Sequence, residues 1–420
     1  MAERDDTKRP VFKLSVKNFS VIKEAELEFG KITVLIGPQA SGKSLLCRLA
    51  FFFSQYLPEL ANNIASRRPP FIDISRALET RFADWFPPTA WSNNKSEIFY
   101  SNKEFSVSVL IGSLERTPKF LFSPQYTDAY ERWKATRDSG DEVSSTIALF
   151  AGPFSMPGSL YIPSGRAFFS TPNKGFVSVS GKNLDWITQR FSTEMDFDYR
   201  AMIASSNGQG ELLNAFGKQA EDILHGRIVF SDGTPRFQLR NDARILPFDL
   251  LSSGTLELLP LLNPLAKLIS NTKYSDFFKE SDASRGQIFI EEPESGVFPK
   301  TQYALTKLIA WLANPSVFNQ SFVITTHSPY ILSAFNNLIE AGQAARNNPQ
   351  LQSEIAKIIP EQYWIKEGDF KAYSIHDGKL ESILNESGFI EGNYLDQVSE
   401  IIGNEFDELL RLEYEHTKAS

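Results

Sequence analysis

Several features are scarce in this chain, and each scarcity removes a class of protein. Cys47 is the only cysteine in 420 residues, so no intrachain disulfide can form and nothing points to an oxidising compartment. Set among apolar residues, it is expected to be a buried structural thiol. The N-terminal Met-Ala-Glu-Arg-Asp-Asp-Thr-Lys-Arg-Pro has no apolar core of the kind a secretory signal needs. The longest apolar stretches, such as Leu49 to Phe53, are far too short to span a bilayer, so a cytoplasmic protein without a membrane partner is expected. There is no internal repeat, no low-complexity tract and no sustained heptad, which excludes solenoids and long coiled coils. Nor is there an excess of basic residues. The net charge of −8 argues against a broad nucleic-acid surface, although 43 Lys and Arg leave room for a local basic groove.

Apolar material is plentiful. A hydrophobic fraction of 42% with 34 phenylalanines is ample for the interior of one large domain or two interleaved ones. Alternation predicts half-buried strands over 11–19 and 25–29, and the continuous run Ile32 to Ile36 predicts a strand covered on both faces. That strand enters a glycine loop, and an apolar helix follows from Lys43 to about Tyr56. The middle of the chain is less regular. Strands are predicted over 105–111 and 159–162, helices over 126–136 and 184–203, and a hairpin over 226–239 about Asp232-Gly233. Order returns with a helix over 255–270, a strand over 287–291, a helix over 300–313, a strand over 321–325 and a helix over 330–340. A small hairpin is predicted over 363–380. A last helix from Asn393 to about Tyr414 carries an apolar face that docks on the body or on a partner.

Four segments carry chemistry. Gly37-Pro38-Gln39-Ala40-Ser41-Gly42-Lys43-Ser44 fits GxxxxGK[ST] between a strand and a helix. Glycines let backbone N–H groups turn toward the phosphates of a nucleotide, and the helix N-terminus adds partial positive charge. Lys43 supplies a point charge, and the Ser44 hydroxyl is a ligand for Mg²⁺. At the end of the strand over 287–291, Glu291 and Glu292 are adjacent carboxylates, costly to bury unless a cation holds them. Glu291 is assigned to the metal and Glu292 to orienting or deprotonating an attacking water.

In the third segment, His327 lies just past the strand over 321–325, where it can hydrogen-bond a γ-phosphate and that water. The fourth, Leu251-Ser252-Ser253-Gly254-Thr255, opens a helix. Taken alone, it serves as an anion site or as an ordinary N-cap.

Together, in this order, the four segments resemble the head of an ABC ATPase, with its Walker A, signature, Walker B and switch histidine. The resemblance implies an α/β fold: a mixed sheet with flanking helices and a large α+β insertion between Walker A and signature. It also implies ATP and Mg²⁺ as cofactors, and ATP-bridged heads in which Ser252, Ser253 and Gly254 of one subunit close over the nucleotide of another. Two departures stand out: Ser253 and Thr255 replace a glycine and the glutamine of LSGGQ, and Glu291 replaces the usual Walker B aspartate. The stretch from Ser44 to Leu251 is far longer than in transporter subunits, and the coiled coils of SMC and RecN proteins are missing. What remains is similar to the RecF- and OLD-like branch of AAA family ATPases. The runs IGPQASGKS, YIPSGR, IEEPE and THSPYILSAFNN resemble antiphage-defence ATPases such as PtuA of Septu and AriA of PARIS. Within YIPSGR, Arg166 either approaches the nucleotide or signals its state, or makes an ordinary surface salt bridge, and Gln125 is a candidate Q-loop residue.

These readings divide the chain into a Walker A part (1–57), an insertion (58–246), a part with signature, Walker B and histidine (247–345), and a C-terminal hairpin and helix (346–420). The expected protein is an ATPase without its own nuclease centre, since no Asp-x-Asp pair follows His327 and His376 and His416 lack metal-ligand spacing. It would work as a homodimer or higher homo-oligomer on a separate effector such as a nuclease, with DNA as a further possible partner. A RecF-like repair ATPase, a transporter energy subunit and a non-hydrolysing scaffold are the alternatives.

Overall fold

A computed structural model describes residues 12–56, 70–101, 106–114, 117–124, 127–128, 130–131, 159–170, 185–195, 199–203, 210–271, 287–391 and 404–411. Its centre is a core of parallel strands, most of them largely apolar on both faces because both faces are covered. β3 (Ile32–Ile36) lies between β12 (Ser321–Thr325) and β13 (Phe370–His376), and β11 (Gln287–Glu291) lies between β12 and β7 (Leu160–Ile162), all parallel. Successive residues point to opposite faces and enter two separate cores. Val34, Ile290 and Ile324 face one core, while Leu35, Phe289 and Val323 face the other.

The sheet continues past β13 through β14 (Lys379–Ser382) into an antiparallel wing. This comprises β2 (Ile22–Glu28), β1 (Lys13–Phe19), β4 (Ser96–Ser101), β5 (Ser106–Ile111) and β6 (Pro118–Phe122). Eleven strands thus run in the order β6-β5-β4-β1-β2-β14-β13-β3-β12-β11-β7. The fold is α/β with one large mixed sheet and flanking helices, as the sequence led us to expect, and strands from the long middle span join that same sheet.

One face is covered by α1 (Lys43–Phe51), which runs into a π-turn over 52–56, and by α2 (Phe71–Trp85). Phe51, Phe52, Phe53, Phe82 and Phe86 make that core mainly aromatic. The other face is covered by α4 (Glu211–Leu224), α5 (Ser253–Asn271), α6 (Pro299–Ala313) and α7 (Pro329–Asn347) and is mainly aliphatic. Helix α5 continues through Pro260 and Pro264, each a penalty of roughly 3 kcal/mol in an open helix. Burial of Leu258, Leu259, Leu261, Leu262 and Leu265 outweighs it.

Several local readings change. The helix expected over 184–203 is broken: α3 (Trp186–Glu194), capped by Asp185, ends at Met195, and a separate turn spans Arg200–Ile203. Helix α7 runs on past Glu340, and a further helix not expected from the sequence, α8 (Gln352–Ile358), precedes the second hairpin. The hairpin at Asp232-Gly233 is present as β8 (Gly226–Ser231) and β9 (Thr234–Leu239), paired with β10 (Ile245–Leu246), and both turn residues have positive φ. The second hairpin turns at Asp377-Gly378. Of the C-terminal helix, residues 404–411 are described; there Phe406, Leu409 and Leu410 are exposed instead of docked on the body. Of the helix expected over 126–136, residues 127–128 and 130–131 are helical and the rest, with Gln125, lies outside the described residues. Among the described residues, no helix is long and apolar enough to cross a membrane.

Candidate functional site

The glycine loop joins β3 to α1 at the C-terminal edge of the parallel core, where an α/β sheet opens a crevice for ligands. Its shape requires glycine at two points. At Gly37, φ is +147° and a Cβ would sit 2.4 Å from the Ile375 carbonyl oxygen. At Gly42, φ is +109° and a Cβ would sit 2.8 Å from the Ile22 side chain. Ala40 also has positive φ. The loop folds back on Lys43, whose Nζ donates to the carbonyls of Gly37 at 2.7 Å and Pro38 at 2.8 Å. Only 5% of Lys43 is exposed; burial pushes its pKa down, against the opposing pull of Glu292 and Glu294. Ser41 Oγ is buried without a hydrogen-bond partner, an orphan that a phosphate oxygen would satisfy. Beside the loop lies a cleft of about 580 Å³, lined by Asn18, Lys23, Gln39, Asn94, His376 and Asp377 among others.

The two carboxylates at the end of β11 differ sharply. Glu291 is buried and fixed at both oxygens. Tyr161 donates its hydroxyl at 2.6 Å, and Ser164 donates its N–H at 3.1 Å and its hydroxyl at 3.3 Å. Burial and the neighbouring Glu291 hold the Tyr161 phenol well above its ordinary pKa, so it remains a donor. Carboxylates that ligate metals are commonly oriented by such hydrogen bonds.

Glu292 is half exposed and has φ of +43°. Its N–H is held by the Thr325 carbonyl at 2.9 Å, and its carboxylate accepts from Ser295 Oγ at 3.3 Å. The other carboxylate oxygen is 3.8 Å from His327 Nε2, a separation that a water can bridge. Glu294 accepts the His327 N–H at 2.6 Å through one oxygen, while its other oxygen is buried and orphaned. The loop and the acidic strand end therefore meet, with Glu292 and Glu294 in the electrostatic field of Lys43.

The signature segment is arranged differently. Ser252 caps α5: its hydroxyl accepts the Thr255 N–H at 3.3 Å and pairs with the Thr255 hydroxyl at 2.9 Å. Among the described residues no hydrogen bond joins Ser252, Ser253 or Gly254 to the phosphate loop of the same chain. Gly254 instead abuts the loop after β11, where a Cβ would lie 2.8 Å from the Gly296 carbonyl oxygen.

Arg166 makes no surface salt bridge: it is a fully buried side chain. Its guanidinium donates to the carbonyls of Glu291 at 2.8 Å, Glu292 at 3.1 Å and Glu257 at 3.1 Å. Burial pulls its pKa down, and Glu257, Glu294, Glu292 and Glu291 push it back up. Tyr161, Ser164, Glu257 and Glu294 were not assigned roles from sequence. The first two belong to the conspicuous run YIPSGR, a signal that could have found them.

No curated protein sequence matches the chain. Among solved structures, the SMC head domain from Thermotoga maritima aligns with a TM-score of 0.39 at 10% identity, covering 90% of this chain and 99% of that one. The Smc head domain from Pyrococcus furiosus, with an extended coiled coil and bound to the C-terminal domain of ScpA, aligns with a TM-score of 0.41 at 10% identity, covering 89% and 96%. The family model described as "AAA domain, putative AbiEii toxin, Type IV TA system" matches residues 32–333, a span that holds the phosphate loop, Arg166, the capped helix, the acidic strand end and His327. The chain belongs to that AAA-domain family.

Proposed function

We propose that this protein binds ATP with Mg²⁺ and hydrolyses it between two copies of itself. The observation that carries this reading is the convergence of a lysine-centred glycine loop with a fixed carboxylate, a half-exposed carboxylate and a histidine at one sheet edge. Backbone N–H groups of residues 37–44, Ser41 Oγ and Lys43 receive the phosphates, and the cleft by Asn18 and His376 receives the nucleoside. Ser44 and the oriented Glu291 hold Mg²⁺, which when bound neutralises charge on the β- and γ-phosphate oxygens. Glu292 orients and deprotonates the attacking water, and His327 hydrogen-bonds the γ-phosphate.

Ser252, Ser253 and Gly254 act on the nucleotide of the opposing subunit. Support comes from the lack, among the described residues, of any hydrogen bond from them to the phosphate loop of their own chain. The exposed apolar residues Phe168, Leu250, Phe298 and Tyr330, which flank the site segments in sequence, add to it. The chain acts in bacterial antiphage defence through a separate effector; the support is the resemblance of its runs IGPQASGKS, YIPSGR, IEEPE and THSPYILSAFNN to antiphage-defence ATPases.

The test is Glu292→Gln with ATP and Mg²⁺. Turnover should fall at least ~100-fold, while ATP still binds and a dimer accumulates in light scattering. Turnover at the parental rate would remove Glu292 from the role. Mass spectrometry of what co-purifies with this variant from the native host tests the effector. A stoichiometric nuclease-like protein supports the defence role, and a bare dimer carrying DNA moves the reading to a RecF-like repair ATPase.

A further inference from the structure

Arg166 is among the largest side chains in the molecule with no exposed surface, and a buried guanidinium is costly unless its donors are matched. Here its matches are mainly backbone carbonyls. Nη1 reaches Glu291 O at 2.8 Å, Nη2 reaches Glu292 O at 3.1 Å and Nε reaches Glu257 O at 3.1 Å. Its ion pair with Glu257 is long, 3.6 Å from Nε to Oε2, and that oxygen is buried with no hydrogen bond of its own. What this geometry achieves is a link between two segments that the chain keeps far apart.

One end of the link is the peptide that follows Glu292. Glu292 is a non-glycine residue at φ +43°, a conformation that persists only where its surroundings hold it. The Thr325 carbonyl holds its N–H and Arg166 holds its carbonyl, leaving the carboxylate beside His327. The other end is α5, one turn past Ser252-Ser253-Gly254. Glu257 lies on that turn, and the space a Cβ at Gly296 would fill is 3.5 Å from Glu257 Cγ. Gly254, Glu257, Gly296, Glu292 and Arg166 are therefore one contiguous packed unit.

We propose that Arg166 is a positioning residue that couples the signature end of α5 to Glu292. When an opposing subunit closes on Ser252 to Gly254, the shift of α5 is transmitted through Glu257 and Arg166 to the Glu292 peptide, setting its carboxylate for the water. The proposal rests on the ATPase reading above and deepens it. Arg166 touches no nucleotide in this scheme, so its loss should spare affinity and reduce the rate.

Arg166→Lys keeps the charge but not the fork of donors, and Glu257→Gln keeps the volume but not the charge. Each is measured for melting temperature, affinity for a fluorescent ATP analogue, and kcat and KM for ATP with Mg²⁺. We expect kcat to fall roughly 10- to 100-fold in Arg166→Lys and less in Glu257→Gln, with KM within about threefold of the parent. The double variant should be no slower than Arg166→Lys alone, because both act along one path. If Arg166→Lys does not fold, Glu257→Gln decides by the same criteria. The proposal is overturned if kcat stays within about twofold of the parent, if KM rises as kcat falls, or if the two losses multiply. A parent protein that binds ATP without turning it over would instead sink the hydrolysis reading, and this proposal with it.

Discussion

The phosphate loop and the acidic strand end lie side by side but are built in opposite ways. The loop's hydrogen bonds come from within itself, with a lysine held by carbonyls five and six residues before it, and only the crowding of its two positive-φ glycines by Ile375 and Ile22 comes from outside. The strand end is made from elsewhere: Tyr161 and Ser164 hold Glu291, Arg166 and Thr325 hold Glu292, and Glu257 on α5 lies behind them. A short-range structure can bind a ligand whenever its segment is folded. A long-range one responds to movements of every element that contributes to it, which suits a group that must act only after assembly. On the proposed function, the difference would assign binding to a locally built segment and catalysis to one built from distant parts of the chain, and variants can test that division.

Lys43→Ala should have the largest effect. It removes the one side-chain cation buried in the loop, and affinity for ATP should drop at least ~100-fold, about 2.7 kcal/mol. Stability of the nucleotide-free protein should change little. Equilibrium binding of a fluorescent ATP analogue beside a thermal melt checks both halves. If the melt collapses along with the affinity, the loop is not the self-contained unit described here.

Tyr161→Phe probes the other region. It deletes the 2.6 Å bond to Glu291 and leaves a buried carboxylate oxygen without that donor, which should lower stability by about 2 kcal/mol in urea titrations. ATP affinity should stay within about twofold of the parent. An affinity loss comparable to that of Lys43→Ala would mean that the two regions cannot be separated, and the comparison would fail.

The same contrast explains what could be read from sequence. β3, the glycine loop and the start of α1 follow from contiguous residues, as do β11 and β12 with their terminal carboxylates and histidine. What was not legible depends on partners distant in the chain. Only three residues of β7 pair with β11, yet that pairing delivers Tyr161, Ser164 and Arg166 to Glu291. A buried arginine in a run such as YIPSGR looks like a surface residue until the carbonyls it meets are known. Helices α2 and α4 carried helical spacing, with Ile74, Leu78 and Phe82 in one and Leu213, Phe216 and Ala220 in the other. In the sequence their limits are obscured by the Pro pairs at 69–70 and 87–88 and by the irregular middle. The serines at 252 and 253 show the remaining limit: capping α5 and reaching a neighbour's nucleotide are compatible, and one chain displays only the first.

Cys47 offers the finest test, because it lies one turn past Lys43 on α1 and also feels Glu291. It is 1% exposed, and burial, helped by Glu291, holds its thiol well above the ordinary range, against the opposing pull of Arg48 and Lys43. A thiol reagent should therefore reach it only when the structure opens, far more slowly than it reacts with a free thiol. ATP at ten times its dissociation constant should slow that labelling by about tenfold, since a ligand that binds only the closed form removes the open one by mass action. Lys43→Ala should abolish this protection. Tyr161→Phe should label faster than the parent yet keep the same tenfold protection. Labelling of the parent at the rate of a free thiol would show α1 open to solvent, and the glycine loop could not then be the rigid, locally built half of the site.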